Sequence, residues 1–151
     1  MAINLSDMQA EFEDFYNEVS PYDWIGIPTN SIIQDKIGTL WQNVMEKGFL
    51  SVVPASTTVV TAAQTLGDWL RNNPALDDGG AGFYAQIAAF FNTIMGGMPG
   101  HTITTPPIPL VLSAPFSDKS LAALTLATQI KTTAETGVVT NTSTMTPLNL
   151  S

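Results

Sequence analysis

Apolar side chains recur at helical spacing as far as Met95 and lose that spacing beyond it. Met8, Phe12, Phe15, Tyr16 and Val19 fall on one stripe with Glu11, Asp14 and Glu18 opposite, which predicts an amphipathic helix. Ser6 and Gln9 are spaced as a capping box at its start. Ser20-Pro21 ends it, because the residue before a proline resists helical geometry. After the apolar connector Trp24–Pro28, Asn30 is placed to cap a second helix over 31–47. That helix turns Ile33, Ile37, Leu40, Trp41, Val44 and Met45 inward and stops at Lys47-Gly48. Phe49–Pro54 reads as a brief strand or an extended link. Ser56 opens a third helix running to Asn72, with Val59, Val60, Ala63, Leu66, Trp69 and Leu70 inward. A turn over Asp77–Gly82 leads to a fourth helix from Phe83 to Met95, whose Phe83, Ile87, Phe90, Phe91 and Ile94 make a broad apolar face.

The pattern then changes. His101–Phe116 holds Pro106, Pro107, Pro109 and Pro115 among Thr, Ile, Val and Leu, which excludes helix and predicts an extended, polyproline-like segment or an edge strand. A helix restarts at Ser117-Asp118-Lys119-Ser120 and runs to Ala134, carrying Leu121, Leu124, Ala127, Thr128 and Lys131. Gly137 stops it, and the rest is a Thr/Asn/Ser tail with Val138, Val139, Met145, Leu148 and Leu150 as its apolar residues. The expected architecture is therefore mainly α: an acidic helical body over 1–100, a Pro-rich extended segment over 101–116, a helix over 117–136 and a C-terminal arm over 137–151. An extended arm adds little to a folded body, so its removal is expected to leave the helices intact.

Charge sharpens this division. Only 12% of residues are charged, against roughly 25% in an ordinary soluble domain. Residues 1–79 carry eleven acids and three bases, which is the whole net charge of −8. Residues 80–151 carry only Asp118, Lys119, Lys131 and Glu135, which cancel. A free surface normally mixes many charges of both signs to stay soluble. The uncharged half is therefore expected to be covered by other protein. Five bases in an acidic chain argue against direct nucleic-acid binding.

The residue types needed for catalysis are sparse. Cysteine is absent and His101 is the single histidine, which removes thiol chemistry and multi-histidine metal sites and leaves no Ser-His-Asp set. The acids of the first helix read as its solvated face, and Asp77-Asp78-Gly79 lacks the spacing of a calcium loop. No catalytic, cofactor or metal residue is assigned. Residues 79–117 form a run of thirty-nine without charge, but the helical part, Phe83–Met95, is shorter than the roughly 20 apolar residues a membrane span takes. Met1–Asp7 has no basic or apolar leader character, so no signal peptide is expected.

The uncharged Pro106–Pro115 segment, the Val138–Leu150 arm and the lack of cysteine resemble the style of small virion proteins of tailed bacteriophages, over about the last third of the chain. The resemblance implies a non-enzymatic structural protein of the neck, baseplate or capsid surface, assembled in the host cytoplasm with other structural subunits and copies of itself. The contacts expected are Ile108, Leu110, Val111, Leu112 and Phe116 in the first segment, and Val138, Val139, Met145, Leu148 and Leu150 in the arm. Two other readings stay open: a membrane-associated or lysis protein using residues 83–112, and a small hydrolase using Glu11 and Glu13.

Overall fold

The computed structural model describes residues 3–18, 31–52, 56–73, 81–113 and 118–150. The expected stop at Ser20-Pro21, the connector Trp24–Pro28, the cap at Asn30, the turn residues Asp77–Gly80 and the proposed contact Phe116 lie outside them. In chain order the elements are α1 (Leu5–Glu18), α2 (Ser31–Phe49), α3 (Ser56–Asn72), α4 (Ala81–Gly96), β1 (His101–Thr105), α5 (Lys119–Glu135), β2 (Val138–Asn141) and β3 (Pro147–Asn149). The fold is mainly α, as expected, with a Pro-rich extended segment and an extended C-terminus.

Each helix packs for a reason visible in its residues. α1 buries Met8, Phe12, Phe15 and Tyr16. Its cap is Asn4 rather than Ser6: the Asn4 side chain accepts from the Asp7 amide at 3.1 Å and donates to the Asp7 carboxylate at 2.7 Å. Asn4 wins because its own amide is also held, by the Gly48 carbonyl at 2.8 Å, a contact no local pattern reveals. α2 continues past the expected stop at Gly48 because Phe49 is fully buried, edge-on to Phe90 and Phe91 of α4 at 5.7 and 5.4 Å. Leu50–Val52 then form a turn, not a strand.

α2 and α3 cross closely at two glycines. A Cβ on Gly38 would stand 2.8 Å from the Gly67 carbonyl oxygen, so only glycine allows the approach. Arg71 spans the crossing, donating to Asp68 at 2.8 Å, Gln42 at 2.8 Å and Thr39 at 3.2 Å. The buried Gln34 amide donates to the Leu70 carbonyl at 3.1 Å, satisfying one of the open carbonyls at the end of α3. α4 presents the apolar face that its sequence predicts, with Phe83 set 4.9 Å from Trp41.

α5 packs on α1 and buries Ala122, Ala123, Leu126, Ala127, Ile130 and Ala134. Leu121 and Leu124 lie on its outer side, 48% and 39% exposed. Apolar residues thus lie on both its covered and its outer side. Asp118 caps it, accepting from the Leu121 amide at 3.0 Å.

Residues 106–113 run extended across α4 and α5. Prolines 106, 107 and 109 offer no amide hydrogen, and three of the amides that remain find side-chain acceptors. Ile108 donates to Thr136 at 2.9 Å, Leu112 to the Tyr84 hydroxyl at 3.3 Å and Ser113 to Gln129 at 3.1 Å. Gln129 returns a bond to the Ser113 carbonyl at 2.7 Å, so its amide plays the part of a neighbouring strand. Leu110 and Leu112 point into the core while Ile108 and Val111 point out.

The C-terminal arm is extended but not free. It folds into a three-stranded antiparallel sheet of order β1-β2-β3, with Ile103 opposite Val139 and Val139 opposite Leu148. β1 is an edge strand, and a bulge near Thr104 lets that hydroxyl reach both the Val138 carbonyl and the Thr140 hydroxyl. Val139 is fully buried and Leu150 nearly so. Asn149 donates to the Glu135 and Gly137 carbonyls at 3.0 and 3.3 Å, closing the end of α5. The expected indifference of the helices to loss of the arm is therefore corrected. Burying Val139 and Leu150 contributes about 3–6 kcal/mol, a large part of a domain's usual stability. Deleting residues 138–151 is expected to abolish or sharply lower the cooperative thermal transition followed by circular dichroism; an unchanged melting curve would contradict this packing.

Candidate interface on the uncharged half

The three bases of the body, Lys36, Lys47 and Arg71, are each paired with an acid. Lys36 pairs with Glu18 at 2.7 Å, Lys47 with Glu11, and Arg71 with Asp68 and Asp35. The bond from Glu11 is the main cause that holds the Lys47 ammonium above its ordinary pKa. Such exposed pairs contribute little to stability, so their role is to organise an acidic, hydrated face. Beyond Gly80, Lys131 pairs with Glu135 and Asp118 is spent on the α5 cap. Lys119 is exposed, and the other described surface residues of this half offer mainly hydroxyls, amides and hydrocarbon.

Of the contacts expected from sequence, four face outward: Ile108 (55% exposed), Val111 (72%), Met145 (71%) and Leu148 (47%). Four do not: Leu110, Leu112, Val139 and Leu150 belong to the protein's own core. In the extended stretches side chains alternate sides, so one of each neighbouring pair must turn inward to hold the segment down. Val138 is half-buried on the central strand. The structure adds Leu121 and Leu124 on α5 and Val60 on α3 to the outward set. Periodicity could not have singled out the α5 pair, because that helix carries apolar residues on both sides.

Two grooves flank the exposed side of α4. One, of about 390 Å³, lies between α3 and α4; the buried Ala62, Leu66 and Phe90 line it together with Thr58, Thr61, Thr65, Gln86, Ala89 and Thr93. The other, of about 290 Å³, lies between α4 and the Pro-rich segment, over Ala88, Phe91, Pro107 and Leu110. Neither groove has a charged lining residue. A third hollow between α1 and α2 is acidic, lined by Glu11, Asp14, Glu18 and Asp35 with Lys36.

Chemistry finds little purchase. Among the described residues no group of three or more His, Asp or Glu side chains is placed to hold a metal ion. His101 donates from Nδ1 to the Pro99 carbonyl at 2.8 Å, a contact within a turn. Tyr16 is the one buried side chain whose polar atom lacks a partner among the described residues, and burial pushes its phenol pKa up. No helix among the described residues is long and apolar enough to cross a membrane.

The hairpin joining β2 to β3 carries the backbone outlier. Met145 has φ 58°, the left-handed region that favours glycine and asparagine. The turn is otherwise well held: the Asn141 side chain accepts from the Ser143 and Thr144 amides at 2.9 and 3.0 Å, and Thr142 donates to the Gly100 carbonyl at 2.9 Å. No protein-family model, curated protein or solved structure matches this chain. Replacing Met145 by glycine removes strain of about 1 kcal/mol and is expected to raise the melting temperature by a few degrees. A lowered melting temperature for Met145→Gly would show that the side chain supports the fold itself.

Proposed function

We propose that this chain is a non-enzymatic structural protein, a virion component of a tailed bacteriophage at the neck, baseplate or capsid surface, that joins neighbouring subunits through its uncharged half. One observation carries the reading: the entire net charge of −8 resides in residues 1–79, while the neutral half turns Ile108, Val111, Leu121, Leu124, Met145 and Leu148 to the outside. Interface cores are depleted in charge and enriched in apolar side chains, which is the composition of this surface. Leaving it in water forgoes burial worth about 25 cal/mol per Å². The style of the last third of the chain supports placing it among phage virion proteins.

The mechanism of such a protein is geometric. The acidic α1–α2 face stays hydrated or meets a basic neighbour, and the neutral half meets other structural subunits or further copies of this chain. Contact is made by outward side chains on a finished fold, because β2 already pairs with both β1 and β3 of its own chain. Symmetric repetition then turns individually weak contacts into a stable ring or shell.

Salt dependence tests this by its sign. Copies carrying −8 repel one another, and raising salt from about 0.1 M to about 1 M shortens the screening length from about 10 Å to about 3 Å. A contact without ion pairs keeps its attraction while the repulsion fades. Self-association measured by sedimentation equilibrium is therefore expected to tighten several-fold with salt. Dissociation on adding salt would contradict a neutral contact surface.

A further inference from the structure

We infer that residues 106–113 form a strap that lifts from α4 and α5 as a unit while the helices and the sheet stay folded, so that the neutral surface has a closed and an open form. The strap works within the single chain, whether or not copies assemble.

The segment is held by side chains rather than by a backbone ladder. β1 ends at Thr105, and residues 106–113 belong to no strand or helix. Ile108 donates to Thr136 at 2.9 Å, and Leu112 reaches the Tyr84 hydroxyl at the long distance of 3.3 Å. Gln129 supplies the firmest hold, bonding both the amide and the carbonyl of Ser113 at 3.1 and 2.7 Å. That latch lies at the surface, where water competes for both bonds. The C-terminal arm is held more firmly, since β2 is paired on both edges and Asn149 is tied to the end of α5.

Little hydrocarbon is buried along the strap. Leu110 and Leu112 are its buried residues, and at 6% and 9% exposure they lie shallower than Ile87 and Phe91 of α4, at 1%. Between the strap and α4 a hollow of about 290 Å³ remains, bounded by Tyr84, Ala88, Phe91, Pro107 and Leu110 among others. Atoms that face this space have no packing partner to lose when the strap lifts. Seating two leucines favours the closed form by about 10²- to 10⁴-fold. Global unfolding, which also opens the aromatic core around Trp41, is opposed by about 10⁴-fold or more. Lifting the strap is the smaller step.

The prolines make the strap move as one piece. Pro106, Pro107 and Pro109 hold φ at about −65° in either state, so the lifted segment stays extended and reseats without a search. Its start is set against Gly137, where a Cβ would stand 3.0 Å from the Pro107 ring, and its far end is the Gln129 latch. Closed, the strap shows Ile108 and Val111 and keeps Leu110 and Leu112 inward. Open, it adds the two leucines to the surface and uncovers the walls of the hollow.

The test is amide hydrogen exchange of the full chain, read by nuclear magnetic resonance without denaturant and in about 1 M urea. Ile108, Leu112 and Ser113 report on the strap, and Leu126 and Ile130, buried on α5, report on the fold. Corrected for intrinsic rates, the strap amides are expected to exchange at least about 100-fold faster than those of α5. They are also expected to ignore the urea, since lifting exposes little surface. Equal rates with an equal urea response would overturn the strap, because the segment would then open only with the whole fold. Gln129→Ala loses both bonds to Ser113 and is expected to speed all three strap amides about tenfold, with the α5 amides unchanged. Tyr84→Phe keeps the ring, removes the hydroxyl that Leu112 reaches, and is expected to speed the same three amides severalfold. Acceleration confined to Ser113 would overturn movement as a unit. Equal acceleration of the α5 amides would make these side chains supports of the whole fold and overturn the latch, as would strap amides indifferent to both substitutions.

Discussion

Three helices meet at the indole of Trp41. The side chain projects from α2, is wholly shielded from solvent, and stands edge-on to Phe12 of α1 at 5.4 Å and to Phe83 of α4 at 4.9 Å. Burying a side chain of this size contributes about 4–6 kcal/mol by area, before the edge-to-face terms are added. Phe49 repeats the arrangement one end further along, against Phe90 and Phe91. Once α4 has turned its aromatic residues to α2, the residues left on its other side are Ala85, Ala88, Ala89, Asn92 and Thr93. Small residues there leave hollows on both flanks. The two neutral grooves are thus a consequence of how the core is filled.

The partition of charge acts on top of that packing. Ion pairs among α1, α2 and α3 keep one side of the molecule acidic and hydrated, with Arg71 also serving the close crossing at Gly38 and Gly67. On the other side the polar groups are mostly consumed internally. Gln129, Thr136 and Tyr84 hold the Pro-rich segment, Asn149 closes α5, and Asn141 builds the hairpin turn. What remains outward among the described residues is mainly hydrocarbon and hydroxyl, with four charges that cancel. A surface of that kind has little to hold it away from another like it, and electrostatic repulsion between the acidic faces favours approach through the neutral ones.

Much of the fold is legible in the sequence, and the exceptions share a physical cause. α2, α3 and α4 follow directly from one-sided apolar periodicity, and nearly all their expected core residues are buried. The failures are decided by distant contacts. Asn4 displaces Ser6 as a cap through a bond to Gly48, and Phe49 prolongs α2 through α4. α5 has two apolar sides, and which is covered depends on the elements packed against it, α1 and the Pro-rich segment among them. The arm reads as a loose polar tail because its strand partner, β1, lies more than thirty residues earlier and its hairpin has no glycine. Within the Pro-rich segment, the sequence could not separate the outward Ile108 and Val111 from the buried Leu110 and Leu112. That choice depends on α4 and α5 lying beneath them. The left-handed Met145 has no sequence signal at all.

The central claim is that the neutral half is the surface the protein covers when it assembles. Hydroxyl-radical footprinting of the dilute and the assembled chain addresses it side chain by side chain. The account predicts that protection on assembly falls on the outward side chains of residues 80–150, Val111, Leu124 and Met145 among them, and leaves the acidic stripe of α1 as reactive as before. Protection of that stripe with Met145 unchanged would contradict it.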